Sequence, residues 1–467
     1  MSSLLSSLNN VLQSMLAHQK SIQVIEHNVA NANTPGYHRQ EVKLGTRPAS
    51  PAPTLYHEIS AGQIGQGVSA EMVKRFNLTF YDGRFRTQTA LGKRWETTQQ
   101  TLSHVESLLA ENTSQGLINK LDAFWAGWQG VIDDPTNLAL RSNLQQKASS
   151  LAVGLNRRAS DLLGIRKDLD QEIIQDVDEI NEIADQLARL NGEVANITGM
   201  ELQPNDLLDE RDRLLDRLAE YSDIRIGNQD SGQIMVSMGG HSLVFGTETF
   251  KLETAPDPGN SNLVDVVWED GADFRAVEGS LTAYLDDRDH SVPAMIAGLD
   301  EVAATLISEV NALHQGGYGL DNSTGLDFFA GTDALSIGLS ADISDPRSIA
   351  AASAASSPGD SSLAGQIADL RHQELLSAGS ATFTSYYADQ VAGLARQIQE
   401  AGSESQNIDL VIQSLQSQRD RVSSVSLDQE AANLIKSQRA FEAAARMATA
   451  VDEMLDRIIN GMGLVGR

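Results

Sequence analysis

Leu4, Leu8, Val11, Met15, His18, Ile22, Ile25 and Val29 recur at alternating steps of four and three residues. The same spacing returns at the far end of the 467-residue chain in Leu427, Ala431, Leu434, Gln438, Phe441, Ala445, Ala448, Asp452, Leu455, Ile459 and Met462. That rhythm is the seam of an amphipathic helix, interrupted by His18 in the first stripe and by Gln438 and Asp452 in the second. A lone helix is marginal in water and draws its stability from burying its apolar face, so each stripe needs a partner. Two such stripes at opposite ends predict that the termini pair, that they meet other copies of the chain, or both.

The first stripe runs into "HNVANANTPGYHRQ", residues 27–40. Pro35 forbids continuation of the helix, and Thr34 before it is pushed to extended geometry. The Pro-Gly pair favours a turn with Gly36 at positive φ. Asn31 or Asn33 is expected to take the left-handed conformation that closes a helix end. Tyr37 then folds back over that end, and "HRQEVKL" leaves as a strand. Asn31, Asn33, Thr34, Pro35, Gly36 and Tyr37 therefore read as a helix-to-strand corner.

Three prolines between Pro48 and Pro53 break any helix there, and residues 41–72 read as extended or hairpin structure. From residue 77 to about 220 the pattern is helical again, with Ile173, Val177, Ile180, Ala184, Leu187 and Val194 on one seam. Asp134 before Pro135 marks a stop and a fresh cap, and a helix restarts after Pro204, capped by Asn205 or Asp206. From Ile224 to Phe274 the period drops to two, with short apolar runs divided by Gly-Gly and Gly-Thr, which predicts hairpins. Helix resumes over 279–315, a Gly-, Ser- and Ala-rich stretch follows to 378, and a long helix over 379–424 leads to the terminal one.

The predicted fold class is mainly α with an inserted small β domain. It comprises paired N- and C-terminal coiled-coil-like helices, a long helical-bundle domain and a β-rich outer domain. The expected boundaries are 1–60 with 425–467 for the terminal helical domain, 61–222 with 279–424 for the helical body, and 223–278 for the β domain.

Composition narrows the function. Apolar residues make up 41% and aromatics only 5%, a balance suited to aliphatic helical seams. A net charge of −28 argues against nucleic-acid or anionic-membrane binding, which need a basic face. There is no cysteine, so disulfide scaffolds, thiolate metal sites and Cys nucleophiles are excluded. No window of about 20 apolar residues predicts a membrane-spanning helix. The N-terminus lacks a positive n-region, its first lysine being Lys20, so no cleaved secretory signal is expected.

Reactive constellations are absent from the pattern. The nine histidines include no pair at i, i+4, and scattered surface or interface positions are expected for them. "GGHSLVFG" lacks the second glycine of a nucleophile elbow and reads as a turn between two strands. "DNSTGLDFF", residues 321–329, places Leu326 where a calcium loop needs glycine, and reads as a polar turn before a buried Phe pair. "DLLDERDRLLDRL" interleaves acids and bases at helical spacing, the mark of an exposed, ion-laced helix face. No catalytic residue, cofactor or metal is assigned.

The segment "HNVANANTPGYHRQ" after a 30-residue amphipathic helix resembles the N-terminal signature of bacterial flagellar axial proteins. "VSLDQEAANLIKSQRAFEAAARMATAVDEMLDRIING" resembles the matching C-terminal segment of that group. Between them, "NDLLDERDRLLDRLAEYSDI", "GGHSLVFG" and "NALHQGGYGLDNSTGLDFF" resemble the hook-associated protein 1 family, the first hook–filament junction proteins. The chain is short for that family, which implies a reduced or missing outer domain. The resemblance implies a structural, non-enzymatic protein, exported unfolded by the flagellar type III apparatus to the extracellular hook–filament junction. Its terminal helices are expected to be disordered in the monomer and to order on docking. The implied partners are hook protein, the second junction protein (hook-associated protein 3), further copies of the chain in a ring, and an export chaperone; neither nucleic acid nor membrane is among them. On this reading the assembly interface is Leu4, Leu8, Val11, Met15, Ile22, Ile25 and Val29 with Leu427, Leu434, Phe441, Leu455 and Ile459. Rival readings are a hook or rod protein, which a mostly β body would favour, and a surface-displayed hydrolase or adhesin, which would need a metal or triad in the β insertion.

Overall fold

In the computed structural model, residues 2–48, 65–109, 116–275 and 277–461 are described. The proline-rich stretch beyond Pro48 and the last predicted seam residue, Met462, lie outside the described residues.

At the N-terminus, α1 (Ser2–Ala30) is followed by β1 (Gln40–Thr46) and β2 (Val68–Arg75). The two strands pair antiparallel from Gln40 opposite Arg75 to Thr46 opposite Val68, with an irregularity at Lys43 and Leu44. Three helices then run in sequence: α2 (Thr79–Leu109), α3 (Leu117–Asp133) and α4 (Leu138–Gly199). The break between α3 and α4 falls at the predicted Asp134-Pro135, but the cap is Asn137, whose side chain accepts from the backbone N–H groups of Ala139 and Leu140. Asp134 serves the turn instead, accepting from the Thr136 hydroxyl at 2.9 Å.

The spine of the body is α4. Its 62 residues give a rod about 90 Å long at about 1.5 Å per residue. Buried positions step along it by three and four from Leu144 to Val194, including all six residues of the predicted seam. The N-terminal half, Leu144 to Leu169, enters a large core with α3, α7 (Val292–Gln315), α8 (Ser362–Asp369) and the start of α9 (Phe383–Ser423). Phe124, Trp125 and Trp128 of α3 meet Phe328, Phe329 and Phe383 there, with the Trp128 and Phe328 rings 5.2 Å apart. Aromatic side chains are few, and this core concentrates them where burial counts most.

The C-terminal half of α4 enters a second core with α5 (Asn205–Tyr221) and the strands. Contrary to the expected cap, Pro204 precedes α5 and neither Asn205 nor Asp206 caps it with a side chain. A four-stranded antiparallel sheet is built in chain order from β3 (Ile224–Asn228), β4 (Ile234–Met238), β5 (His241–Phe245) and β6 (Glu248–Thr249). β7 (Leu252–Asp257) and β8 (Leu263–Trp268) form a separate hairpin. Gly239 and Gly240, at φ of 57° and 90°, make the two-residue turn between β4 and β5 that the Gly-Gly pair predicts. Strands laid against a helix leave backbone groups unpaired, and α4 satisfies several. Asn191 donates to the carbonyls of Ile234 and Gly246, and Asn181 donates to that of Leu252 and accepts its N–H. The sheets thus share a core with α4 and α5.

The chain returns through α6 (Ser280–Asp286), a π turn at Asp287–Ser291, and α7. Pro293 in the first turn of α7 has no N–H to continue the regular ladder, and the Val292 N–H reaches back to Asp287 instead. Joined in this way, Ser280–Gln315 is long and apolar enough, by length and composition only, to cross a membrane, a test that a core helix also passes. Its apolar face serves the core: Val292, Leu299, Val302, Leu306 and Val310 are all buried there. Short strands β9 (Phe329–Ala330) and β10 (Gly338–Leu339) follow. After α8 and α9, α10 (Leu427–Gly461) closes the chain against α1. The architecture is mainly α with inserted antiparallel β structure and long helices at both ends.

Candidate assembly site

The chain's two ends meet. In α1, Val11, Ala17, Val24 and Ile25 are buried; in α10, Ala444 and Val451 are, while Leu4, Leu8, Met15, Ile22, Leu434, Phe441 and Leu455 are half-buried. Both ends depart from the predicted register by one position. Asn28 is buried where Val29 was expected and Glu430 where Ala431 was, leaving Val29, Leu427 and Ile459 exposed. Burying a polar side chain is costly unless each of its groups is paired, so the slip needs partners.

The helix-to-strand corner supplies them. Asn28 donates to the Gln40 carbonyl at 2.8 Å and to Glu430 Oε2 at 3.0 Å, and accepts from the Gln40 N–H at 3.0 Å. Glu430 Oε1 takes the Arg39 Nε–H at 2.8 Å, and the Arg39 N–H reaches the Ser423 carbonyl at the end of α9 at 2.7 Å. Four elements, α1, β1, α9 and α10, are tied at this point by hydrogen bonds and the Arg39–Glu430 ion pair.

Gly36 has a φ of +79°, the left-handed value, and the Tyr37 N–H closes the turn on the Thr34 carbonyl at 3.2 Å across Pro35. Tyr37 folds back over the helix end, donating from its hydroxyl to Asn28 Oδ1 at 2.8 Å, with its oxygen 3.0 Å from His27 Nδ1. Burial, reinforced by Asp206, Asp209 and Glu430, pushes the phenol well above its ordinary range and keeps it a donor. Neither Asn31 nor Asn33 is left-handed, contrary to expectation. Asn31 instead bonds the His27 carbonyl twice, from its backbone at 3.1 Å and its side chain at 3.0 Å, so the helix end is already satisfied. Asn33 is exposed, and Thr34 donates to Asn31 Oδ1.

Behind the corner stands the stretch expected to be an exposed, ion-laced face, and the structure corrects that expectation. Only Glu210 and Arg213 form an ion pair within α5. Asp209, Asp212 and Asp216 face inward onto cations from other elements. Arg75, at the end of β2, reaches Asp209 at 2.6 Å and Asp212 at 2.5 Å. Arg86 of α2 reaches Asp212 at 3.0 Å and Asp216 at 2.6 Å. Arg419 of α9 reaches Asp216 and Asp82, each at 2.8 Å, and lies over the Phe85 ring at 4.4 Å. His38 joins through Nδ1, 2.8 Å from Asp209, and its backbone N–H donates to the same carboxylate. Burial works against ionisation at Asp212, yet the combined pull of Arg75 and Arg86 holds it below the usual carboxylate range. At Asp82 burial wins over the attraction of Arg419 and raises the carboxyl. Removing the outward-facing Glu210 or Arg213 would cost little, whereas the inward ladder has the geometry of a keyed joint.

Two histidines are not scattered surface groups. Besides His38, His314 is buried, with Nδ1 donating to the Leu326 carbonyl at 2.7 Å and Nε2 accepting the Ala350 N–H at 2.9 Å. Among the described residues, no group of three or more His, Asp or Glu side chains is placed to hold a metal.

With this geometry in hand, similarity to known proteins is informative. The family model of the flagellar hook-associated protein FlgK helical domain matches residues 102–329. That of the flagellar basal body rod FlgEFG protein C-terminal matches residues 416–461. Flagellar hook-associated protein 1 of Bacillus subtilis is 29% identical over the full length of both chains. Over its whole length the chain is thus similar to flagellar hook-associated protein 1. The Salmonella typhimurium member is 28% identical over 70% of this chain and 59% of its own length. A solved structure of the flagellar hook junction protein FlgK from Burkholderia pseudomallei superposes with a TM-score of 0.66. It matches over 74% of this chain and all of its own, at 14% identity, a likeness of fold.

The residues that sequence reasoning missed, Asn28, Arg39, Gln40 and Glu430, carry one signal in retrospect. A polar residue adjoins each seam at the corner end, and a 4-3 stripe is ambiguous by one position wherever a polar neighbour can be satisfied.

Proposed function

We propose that this protein is a structural adaptor of the bacterial flagellum, placed as a ring of copies between hook and filament and assembled through its paired terminal helices. The observation that carries the reading is the α1–α10 pair, which brings both ends of a chain similar throughout to hook-associated protein 1 into one two-helix element. The seam residues, among them Val11, Ile25, Leu434 and Phe441, hold the pair together. A second apolar stripe faces outward: Leu5, Leu12 and Leu16 on α1, and Ile435, Met447 and Met454 on α10, joined by Val29, Leu427 and Ile459. Side chains of that kind, exposed along adjoining helices, are covered when copies stack. The mostly helical body counts against the hook or rod reading.

The finer expectations form part of the proposal: export without a cleaved signal, an export chaperone covering α10, hook protein and hook-associated protein 3 as neighbours, and no catalysis. Terminal helices that lie outside both hydrophobic cores gain their final order against neighbouring copies. The test is complementation of a strain lacking this gene. Leu12→Glu with Met447→Glu should leave the isolated protein folded by circular dichroism but yield hooks without attached filaments in electron micrographs. Normal filaments and swimming in that strain would refute the assembly role of the outward face.

A further inference from the structure

The two hydrophobic cores contain no residue of α1, β1, β2 or α10. Among the described residues, hydrogen bonds and ion pairs carry much of the connection between this terminal unit and the body, beside a cleft that Met72 and Val73 share with Ile197 and Leu202. His38 and Arg75 engage Asp209, Arg75 also engages Asp212, and Gln40 Nε2 donates to Asp206 at 2.9 Å. Asn205 donates to Gln40 Oε1 at 3.1 Å and to the Val73 carbonyl at 3.0 Å, while Arg39 donates to Ser423. Nearly all of these contacts fall on one face of α5, which the same aspartates tie to α2 and α9 through Arg86 and Arg419.

We propose that the acidic face of α5 is an orientation key: it sets the angle between the terminal helix pair and the body, and it can release the pair without opening either core. Buried ion pairs contribute little net adhesion because desolvation offsets their attraction, but directional contacts in which each guanidinium forks across two carboxylates admit few geometries. An apolar seam would hold more strongly and tolerate sliding. Two of the carboxylates are shared between cations from two elements: Asp212 between β2 and α2, Asp216 between α2 and α9. A change of angle at the terminal unit must therefore break several bonds together. The key acts within one chain and does not depend on the assembly reading.

The chain has no cysteine, so paired spin labels can be placed cleanly on the full-length protein. One pair, Gln19→Cys with Glu182→Cys, spans the joint; a second, Gln19→Cys with Arg439→Cys, lies within the terminal unit, and all three positions are exposed. Double electron–electron resonance should give one narrow distance for each pair in the otherwise native protein. Adding Asp209→Asn with Asp212→Asn, or separately Arg75→Met, should replace the narrow spanning distance by a broad distribution and leave the internal distance narrow. In the Arg75→Met protein, where the Arg86 pairs to Asp212 and Asp216 remain, the thermal melt of the body should stay in place. A spanning distance that remains narrow in both variants would overturn the key. So would a broad spanning distance in the native protein, or simultaneous broadening of both pairs, which would make the ladder a support for folding of the terminal unit.

Discussion

Glu430 offers the sharpest test of the terminal lock. Its carboxylate is 1% exposed and is shared by Arg39 at 2.8 Å and Asn28 at 3.0 Å. Glu430→Ala leaves Arg39, itself 9% exposed, with Glu41 at 3.6 Å as its remaining ion pair among the described residues, and strands one amide hydrogen of Asn28. Stranding a buried charge in this way costs about 3–5 kcal/mol. At about 1.4 kcal/mol per factor of ten, that is roughly a hundred- to several-thousand-fold more frequent opening of the α1–α10 pair. Glu430→Gln keeps one acceptor oxygen for Asn28 but turns an amide donor toward the Arg39 Nε–H and loses that charged hydrogen bond, so about 1.5–3 kcal/mol is expected. Native-state hydrogen exchange read by mass spectrometry separates the regions. Peptides from α1 and α10 should lose protection in the order wild type, Gln, Ala, while those from α3 and α7 hold theirs. Unchanged exchange in α10 of the Ala variant would refute the reasoning, and so would equal acceleration in α3, because neither core includes a residue of the terminal unit.

Three further outcomes are expected. Gly36→Val forces a β-branched residue to a φ of +79°, with no clash since an added Cβ would lie 3.7 Å from the Arg213 side chain; about 1–2 kcal/mol of local strain should appear as faster exchange over 27–40 and as weaker motility on complementation. Asp287, buried in the π turn, is pushed up to about 6 from 3.8 chiefly by burial, against the stabilising Ser291 hydrogen bond. A carboxyl raised in the fold loses stability as pH rises from its unfolded toward its folded value, so Asp287→Asn should stabilise the fold more at pH 8 than at pH 4, by at most about 3 kcal/mol, read from denaturant melts at the two pH values. His314 is held below its ordinary 6.5 chiefly by burial, with the Leu326 carbonyl opposing; its contribution is complete above that value and fades as pH falls through the folded one, a component that His314→Gln should remove from the acid melt.

The long seams were legible because helical burial repeats at fixed steps, and α4 shows it from Leu144 to Val194. The corner was legible because Pro35 and Gly36 each permit few backbone conformations. The lock and the ladder were not. Asn28 and Glu430 are 402 positions apart, and nothing local tells a polar residue beside a seam from one within it. On α5, Asp209, Asp212 and Asp216 have arginines close in sequence that could satisfy them on an exposed helix. Only the arrival of Arg75, Arg86 and Arg419 from three other elements decides otherwise. Periodicity reports which face is buried, but pairing across a fold is set by topology.

The single 62-residue helix has a geometric consequence. Because α4 threads both cores without a break, the body swings as one beam, and small angular errors at its base grow with length. Over a rod of about 90 Å, at about 1.5 Å per residue, a tilt of about 5° carries the far end through about 8 Å. A beam of that length can keep its tip in register with a neighbour only if its base admits one angle.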